Sequence, residues 1–285
     1  MALMRFKFRS EILGDTSVTV VIPTNNQTIF GEKIGQAPAG FPQSAKFEYK
    51  PGMKYQTIWF LHGGGDDDLT SYRLTSLERY AEDNQVMLVT PLAHDTMYNN
   101  TTTGVRYIDY ITKELPLVIR TLFPAAPEPE NNFIMGSAMG GNGALGLAMM
   151  FPELYTAVVD LSGGIGLTLD REVYRDQMSW MGGRMKNFFR GEDEFENTEH
   201  DLYYLAKKNV DEGKKLPQVF IGVGENDFIE YRVKKDYEHL KELGYPVCYE
   251  EGKGLGHEWD FWDLYFRKAI YEWLPLRREP IYPEA

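Results

Sequence analysis

The sequence predicts an α/β fold, a mostly parallel central sheet with helices on both faces, and three observations carry that expectation. Short apolar runs alternate with amphipathic stretches over most of the chain, the pattern of a sheet whose strands are joined by helical crossovers. One such run, Thr57-Ile58-Trp59-Phe60-Leu61, ends directly in His62-Gly63-Gly64-Gly65, as a buried strand running into a tight loop does. Another, Asn132-Phe133-Ile134-Met135, passes through Gly136-Ser137-Ala138-Met139-Gly140 into the small-residue stretch Gly141 to Met150, a strand, a sharp turn and a helix in succession.

Taken in order, the chain opens with two strands, Arg5 to Ile12 and Ser17 to Ile22. Residues 24–54 are rich in Asn, Gly, Pro and Lys and read as an irregular connection. After the strand 57–61, a helix is expected from Ser71 to Asn84, a strand over Val86 to Thr90 and a helix over Tyr107 to Leu122. The strand 132–135 and the helix Gly141 to Met150 lead to a strand at Ala157 to Leu161. Later come a strand at Pro217 to Val223, a helix at Glu230 to Leu243, a strand at Val247 to Glu250 and a final helix from Glu258 to Trp273. The alternation breaks between Gly163 and Lys215, where Met178, Trp180, Met181, Met185, Phe188 and Phe189 stand among charges. That length exceeds a plain connection, so 163–215 is expected to be a helical insertion over the site. Residues 1–285 are read as a single domain.

Bulk properties narrow the class further. A hydrophobic fraction of 43% with 25% charged residues is ordinary for a globular chain. The net charge of -12 repels polyanions, so nucleic acid and anionic membrane are not expected as partners. It favours neutral esters or sugars over strongly anionic ligands. The first residues, Met-Ala-Leu-Met-Arg-Phe-Lys-Phe-Arg, alternate apolar with basic and lack the continuous apolar stretch of a secretory signal, which makes the cytoplasm the expected address. The single cysteine, Cys248, lies in an apolar-alternating stretch and is expected to be an inert, buried strand residue. No His/Cys cluster has metal-ligand spacing, and no metal or cofactor is expected. The run Asp66-Asp67-Asp68 reads as a solvated acidic loop.

Gly136-Ser137-Ala138-Met139-Gly140 occupies the context of a Gly-x-Ser-x-Gly elbow, in which the central side chain is held out of a strained strand-to-helix turn. The central position here is Ala138, and a frame shifted to Ser137 would need glycines where Met135 and Met139 stand. Asp227, in Gly224-Glu225-Asn226-Asp227, and His257, in Gly254-Leu255-Gly256-His257, each follow a late strand. Nucleophile, acid and histidine thus come in the chain order of this elbow class. The chemistry asks for a base to take a hydroxyl proton and a buried carboxylate to orient that base. Asp160 is the rival acid, one strand too early, and His62, His94, His200 and His239 fit the base position less well. Two N–H groups must meet the developing oxyanion; the first is expected from Met139 and the second from the His62-Gly63-Gly64-Gly65 loop. Tyr98, Trp180, Trp259 and Trp262 are candidate aromatic walls of a substrate pocket.

The elbow resembles the Gly-x-Ser-Met-Gly-Gly-x-Gly-Ala segment of the esterase D and tributyrin esterase group of α/β-hydrolases. That group includes S-formylglutathione hydrolases and the acetylxylan and feruloyl esterases of the first carbohydrate esterase family. The likeness runs nearly end to end: the Met-Ala-Leu-Met start, Leu61-His62-Gly63, Glu78-Arg79, Asp109-Tyr110, Glu114-Leu115-Pro116, the elbow, Gly224 to Phe228, and His257-Glu258-Trp259 with Trp262. The resemblance implies an α/β-hydrolase fold and a serine carboxylesterase with a Ser-Asp-His triad at position 138, Asp227 and His257. It also points to Gly64 as the second oxyanion donor. The substrate it implies is a feruloyl or acetyl ester of plant cell-wall carbohydrate, with a generic short-chain acyl ester next and S-formylglutathione behind both. Oligomeric state is left open, with a homo-oligomer compatible. Ala138 departs from the pattern: either an engineered Ser-to-Ala exchange, the favoured account, or a natural pseudo-hydrolase that keeps the pocket and binds without turnover.

Overall fold

The computed structural model describes residues 1–24, 47–101, 103–164 and 201–283. Eight strands form one sheet: β1 (Ala2–Ser10), β2 (Gly14–Ile22), β3 (Thr57–Leu61), β4 (Met87–Pro91), β5 (Asn132–Ser137), β6 (Ala157–Leu161), β7 (Gln218–Gly224) and β8 (Val247–Gly252). Their spatial order is β1-β2-β4-β3-β5-β6-β7-β8. β2 runs antiparallel to both of its neighbours, while every contact from β4 through β8 is parallel. β3, β4, β5 and β6 are buried along their whole length, which explains why they read as continuous apolar runs rather than alternating ones. This is the α/β-hydrolase fold that the sequence predicted.

The helices are α1 (Thr70–Leu74), α2 (Leu77–Asp83), α3 (Tyr107–Asp109), α4 (Leu115–Leu122), α5 (Met139–Met150), α6 (Leu202–Asp211), α7 (Glu230–Glu242) and α8 (Trp259–Lys268). One apolar layer carries Leu115, Leu145, Leu147, Ala206 and Val233 against one face of the sheet. The second puts Leu77, Tyr80, Phe261, Phe266 and Ile270 against the other. The helices therefore cover both faces, and the sheet's carboxyl ends are left to carry loops.

Several expected elements differ in detail. The helix expected over 71–84 is two, broken where Thr75 Oγ1 donates to the Ser71 carbonyl and accepts from the Leu77 N–H, with Asp263 taking the Ser76 N–H. The stretch 107–122 contains a π-helical turn at Tyr110–Glu114. Cys248 lies on a strand as expected, but it is exposed, because among the described residues β8 is an edge strand paired only with β7. Asp68 is not solvated: it is fully buried and accepts from Arg5, Ser17 and Thr19. Within the expected insertion, residues 165–200, and with them Trp180, lie outside the described residues; α6 follows and packs Leu202 against Gly146 of α5. No described helix is long and apolar enough to cross a membrane.

Candidate active site

β5 enters the elbow between β3 and β6. Ala138 sits at φ 50° and ψ -118°, a conformation costing an alanine roughly 1–3 kcal/mol that only its surroundings hold in place. Its N–H donates to the Leu161 carbonyl at 2.8 Å and its carbonyl accepts from the Asn142 N–H at 3.1 Å. The Asn142 side chain donates in turn to the Gly164 carbonyl at 3.1 Å. Ala138 is partly exposed, whereas Ser137 is buried at 1%. Of the two residues, 138 is the one left partly exposed at the turn.

The turn closes because Gly140 has no side chain. A Cβ there would lie 1.9 Å from the Leu61 carbonyl oxygen, and that oxygen belongs to a buried strand that cannot step aside. Gly140→Ala is therefore expected to destabilise the fold by about 3 kcal/mol or more, above the usual range for overpacking. The denaturant midpoint checks this, and an unchanged midpoint contradicts it.

α5 begins at Met139, so the first N–H groups of that helix lack intrahelical partners. Beside it lies the loop after β3. Ala93 N–H donates to His62 Nε2 at 3.0 Å, which makes Nε2 the acceptor and leaves the proton on Nδ1. Nδ1 then donates to the Gly63 carbonyl at 2.8 Å. In a planar trans peptide the N–H opposes the C=O, so the Gly64 N–H faces away from the imidazole. A side chain on Gly64 would meet Met139 Cβ at 3.9 Å, which brings the two residues expected to supply oxyanion donors side by side.

Burial lowers the His62 pKa below its ordinary 6.5, outweighing the nearby carboxylates. The same cause acts on His239, which stacks on Tyr203 at 3.9 Å. Both histidines take up protons more readily when the chain unfolds, so their contribution to stability is complete above pH 6.5 and is lost as pH falls toward their folded values. The thermal midpoint is expected to decline once the pH drops below 6.5; a midpoint flat well into the acid range contradicts this.

Asp227 and His257 meet across the turns after β7 and β8. His257 Nδ1 lies 2.9 Å from Asp227 Oδ2 and 3.1 Å from Oδ1, and the Ile229 N–H donates to Oδ1 at 3.0 Å. The Asp227 side chain is 0% exposed and that of His257 23%. Burial pushes the Asp227 carboxyl up, but the hydrogen bonds from His257 and Ile229 outweigh it and leave the group below its ordinary value. Asp227 is thus a charged acceptor that holds the His257 imidazole at Nδ1.

Asp160 is the contrasting carboxyl. It is fully buried between Gly141 and Gly163, and burial together with the charge of Asp236 drives its pKa well above the ordinary value. Asp227, and not Asp160, is the carboxyl hydrogen-bonded to His257.

The aromatic expectations divide. Tyr98 is 1% exposed, donates its hydroxyl to the His62 carbonyl at 2.9 Å and packs its ring on Gly143. It supports the loop from beneath and is no pocket wall, a correction that follows from its burial. Trp259 is partly exposed and stands against Trp262 at 5.0 Å, and Trp262 in turn meets the His257 ring at 5.0 Å. Sequence reasoning missed Phe228, which lies 4.8 Å from the His257 ring and is 62% exposed; its place directly after Asp227 was the available signal. It also missed Asp95, whose Oδ1 accepts the Gly65 N–H at 2.6 Å, because nothing in the local sequence ties position 95 to position 65.

Sheet order, elbow and apposed Asp–His pair together define the hydrolase class of this fold. Residues 43–244 match the family described as "Putative esterase", and the chain belongs to that esterase family. It is similar to an acetyl esterase of Caldicellulosiruptor saccharolyticus, with 24% identity over 96% of this chain and 98% of the relative. It is also similar to an S-formylglutathione hydrolase of Bos taurus, with 28% identity over 48% of this chain and 51% of the relative. Among solved structures, the substrate-bound fluorophosphonate-binding serine hydrolase F of Staphylococcus aureus superposes with a TM-score of 0.77 at 26% identity, covering 96% of this chain and 98% of that one.

Proposed function

We propose that this chain is a serine carboxylesterase in which alanine stands in the nucleophile's place, and that its substrates are short acyl esters, acetyl first. The observation that carries the reading is Ala138 itself. An alanine gains nothing from φ 50°, yet the chain holds it there with its neighbours locked by Gly140 and the Leu161 carbonyl. Such strain persists where a reactive side chain must be aimed. With serine at 138, His257 takes the hydroxyl proton while Asp227 steadies the imidazolium. The hydroxyl oxygen attacks the ester carbonyl, and the oxyanion is met by the Met139 and Gly64 N–H groups. His257 then returns the proton to the leaving alcohol, and water releases the acyl group by the same route.

The full-length likeness to an acetyl esterase supports the short acyl group. Trp259 and Phe228 near His257 offer aromatic faces suited to a sugar or a ring on the alcohol side. An acetylated or feruloylated carbohydrate fragment therefore remains the proposed natural ester. As it stands, the chain binds such an ester without forming an acyl-enzyme.

The test is a hydrolysis panel of p-nitrophenyl acetate, p-nitrophenyl butyrate and methyl ferulate on Ala138→Ser. Turnover with acetate fastest supports the reading; preference for ferulate moves the acyl assignment. No turnover of any ester makes the chain a binding protein.

A further inference from the structure

Ser162 follows β6 and ties the elbow to the turn that carries Asp227. The carbonyl of the residue before it, Leu161, accepts the Ala138 N–H at 2.8 Å, and its own N–H donates to the Gly222 carbonyl of β7 at 2.8 Å. Its backbone stands at φ 58°, in the left-handed region that a residue other than glycine seldom enters. Gly164, two residues on, enters that region at φ 62° with no side chain to strain it. Ser162 enters it with a hydroxyl, and such strain persists where a side chain must be held in one direction.

The Ser162 side chain is fully buried, and among the described residues its Oγ has no partner at hydrogen-bond geometry. Buried hydroxyls are rarely left so. The group that it acts on is Asp227. Burial pushes that carboxyl up, and the hydrogen bonds from His257 and Ile229, with Ser162 behind them, hold it below its ordinary value. An ionised carboxylate offers about four acceptor positions. Asp227 Oδ1 accepts the Ile229 N–H at 3.0 Å and faces His257 Nδ1 at 3.1 Å, whereas among the described residues Oδ2 is bonded by His257 alone, at 2.9 Å. Asp227 therefore keeps a position open for one more donor, and Ser162 is a buried donor that lacks an acceptor.

We propose that Ser162 is a positioning residue, whose hydroxyl closes on the Asp227 carboxylate and through it fixes the plane in which His257 is held. The inference rests on the reading of position 138, Asp227 and His257 as one reaction centre. A carboxylate anchored by Ile229 on one oxygen can turn about its Cβ–Cγ bond and carry the imidazole with it. A second anchoring donor stops that turn and keeps the base in line with the hydroxyl it must deprotonate.

Two substitutions separate the hydroxyl from the backbone. Ser162→Ala removes the oxygen and keeps the strain, whereas Ser162→Gly removes the oxygen and suits φ 58°. The first readout uses the chain as it stands and needs no turnover. With one donor fewer, the carboxylate pulls harder on the imidazole N–H. The nitrogen resonance of His257 Nδ1 in long-range proton–nitrogen spectra, assigned by its loss in His257→Ala, is therefore expected to move downfield in both variants. The second readout is kinetic. In the Ala138→Ser background both substitutions are expected to lower kcat for p-nitrophenyl acetate by about five- to tenfold and to change KM by less than about twofold. A resonance unmoved in both variants, a response in Ser162→Ala that is absent from Ser162→Gly, an unchanged kcat in an active Ala138→Ser background, or a loss carried by KM overturns the proposal. If Ala138→Ser is inert while the resonance moves in both variants, the catalytic reading fails and the link from Ser162 through Asp227 to His257 stands.

Discussion

Ala138→Ser is expected to raise the hydrolysis of p-nitrophenyl acetate by about 10⁴- to 10⁶-fold over the chain as it stands, since losing the nucleophile of such a triad removes about a millionfold in turnover. The gain rests on parts already in place. The backbone at 138 is already held at φ 50°, and the Asp227–His257 pair is formed without the hydroxyl. The substitution adds one oxygen at a partly exposed position, so the thermal midpoint is expected to move little. Initial rates on both proteins, with active-site titration of the serine form, measure the effect. A gain of less than about a hundredfold contradicts the account, because a hydroxyl correctly aimed at an intact base cannot be so poor.

The second large effect is the loss of that gain. In the Ala138→Ser background, His257→Ala is expected to return kcat close to that of the unmodified chain, since serine and base act as one unit and removing either costs nearly as much as removing both. Asp227→Asn in the same background is expected to cost about 10⁴-fold, because the histidine loses the partner that fixes its tautomer and steadies its cation. In the chain with alanine at 138, by contrast, His257→Ala leaves the small residual rate almost unchanged, as there is no hydroxyl proton to take. This non-additivity separates a catalytic histidine from a structural one. A structural role for His257, packed between Phe228 and Trp262, would lower the thermal midpoint equally in both backgrounds and show no such dependence on residue 138.

How much of this was legible in the sequence follows from the range of the interactions involved. The strands ending at Leu61, Ser137 and Gly224 announce themselves as apolar runs because both their faces are covered. The elbow is legible because Gly136 and Gly140 are required by close backbone contacts in a short segment. Asp227 and His257 could be expected as a pair because each follows its own late strand, and adjacent parallel strands bring their ends together. Long-range polar pairing was hidden. Asp68 looked solvated in a run of three aspartates, yet Arg5, Ser17 and Thr19 of the first two strands bury it. Tyr98 looked available to substrate, yet its hydroxyl serves the His62 carbonyl. Cys248 looked buried because the β8 sequence alternates, and only the strand's place at the sheet edge exposes it.

On the proposed mechanism, position 138 is where this fold presents its nucleophile. The direct measurement is covalent labelling by an alkyl fluorophosphonate, in which a serine oxygen bonds to phosphorus and fluoride leaves, read by intact mass and peptide mapping. One adduct per chain is expected on Ala138→Ser, mapped to residue 138, and none on the unmodified chain. An adduct on Ser137, an adduct on the unmodified chain, or no labelling of Ala138→Ser would contradict it.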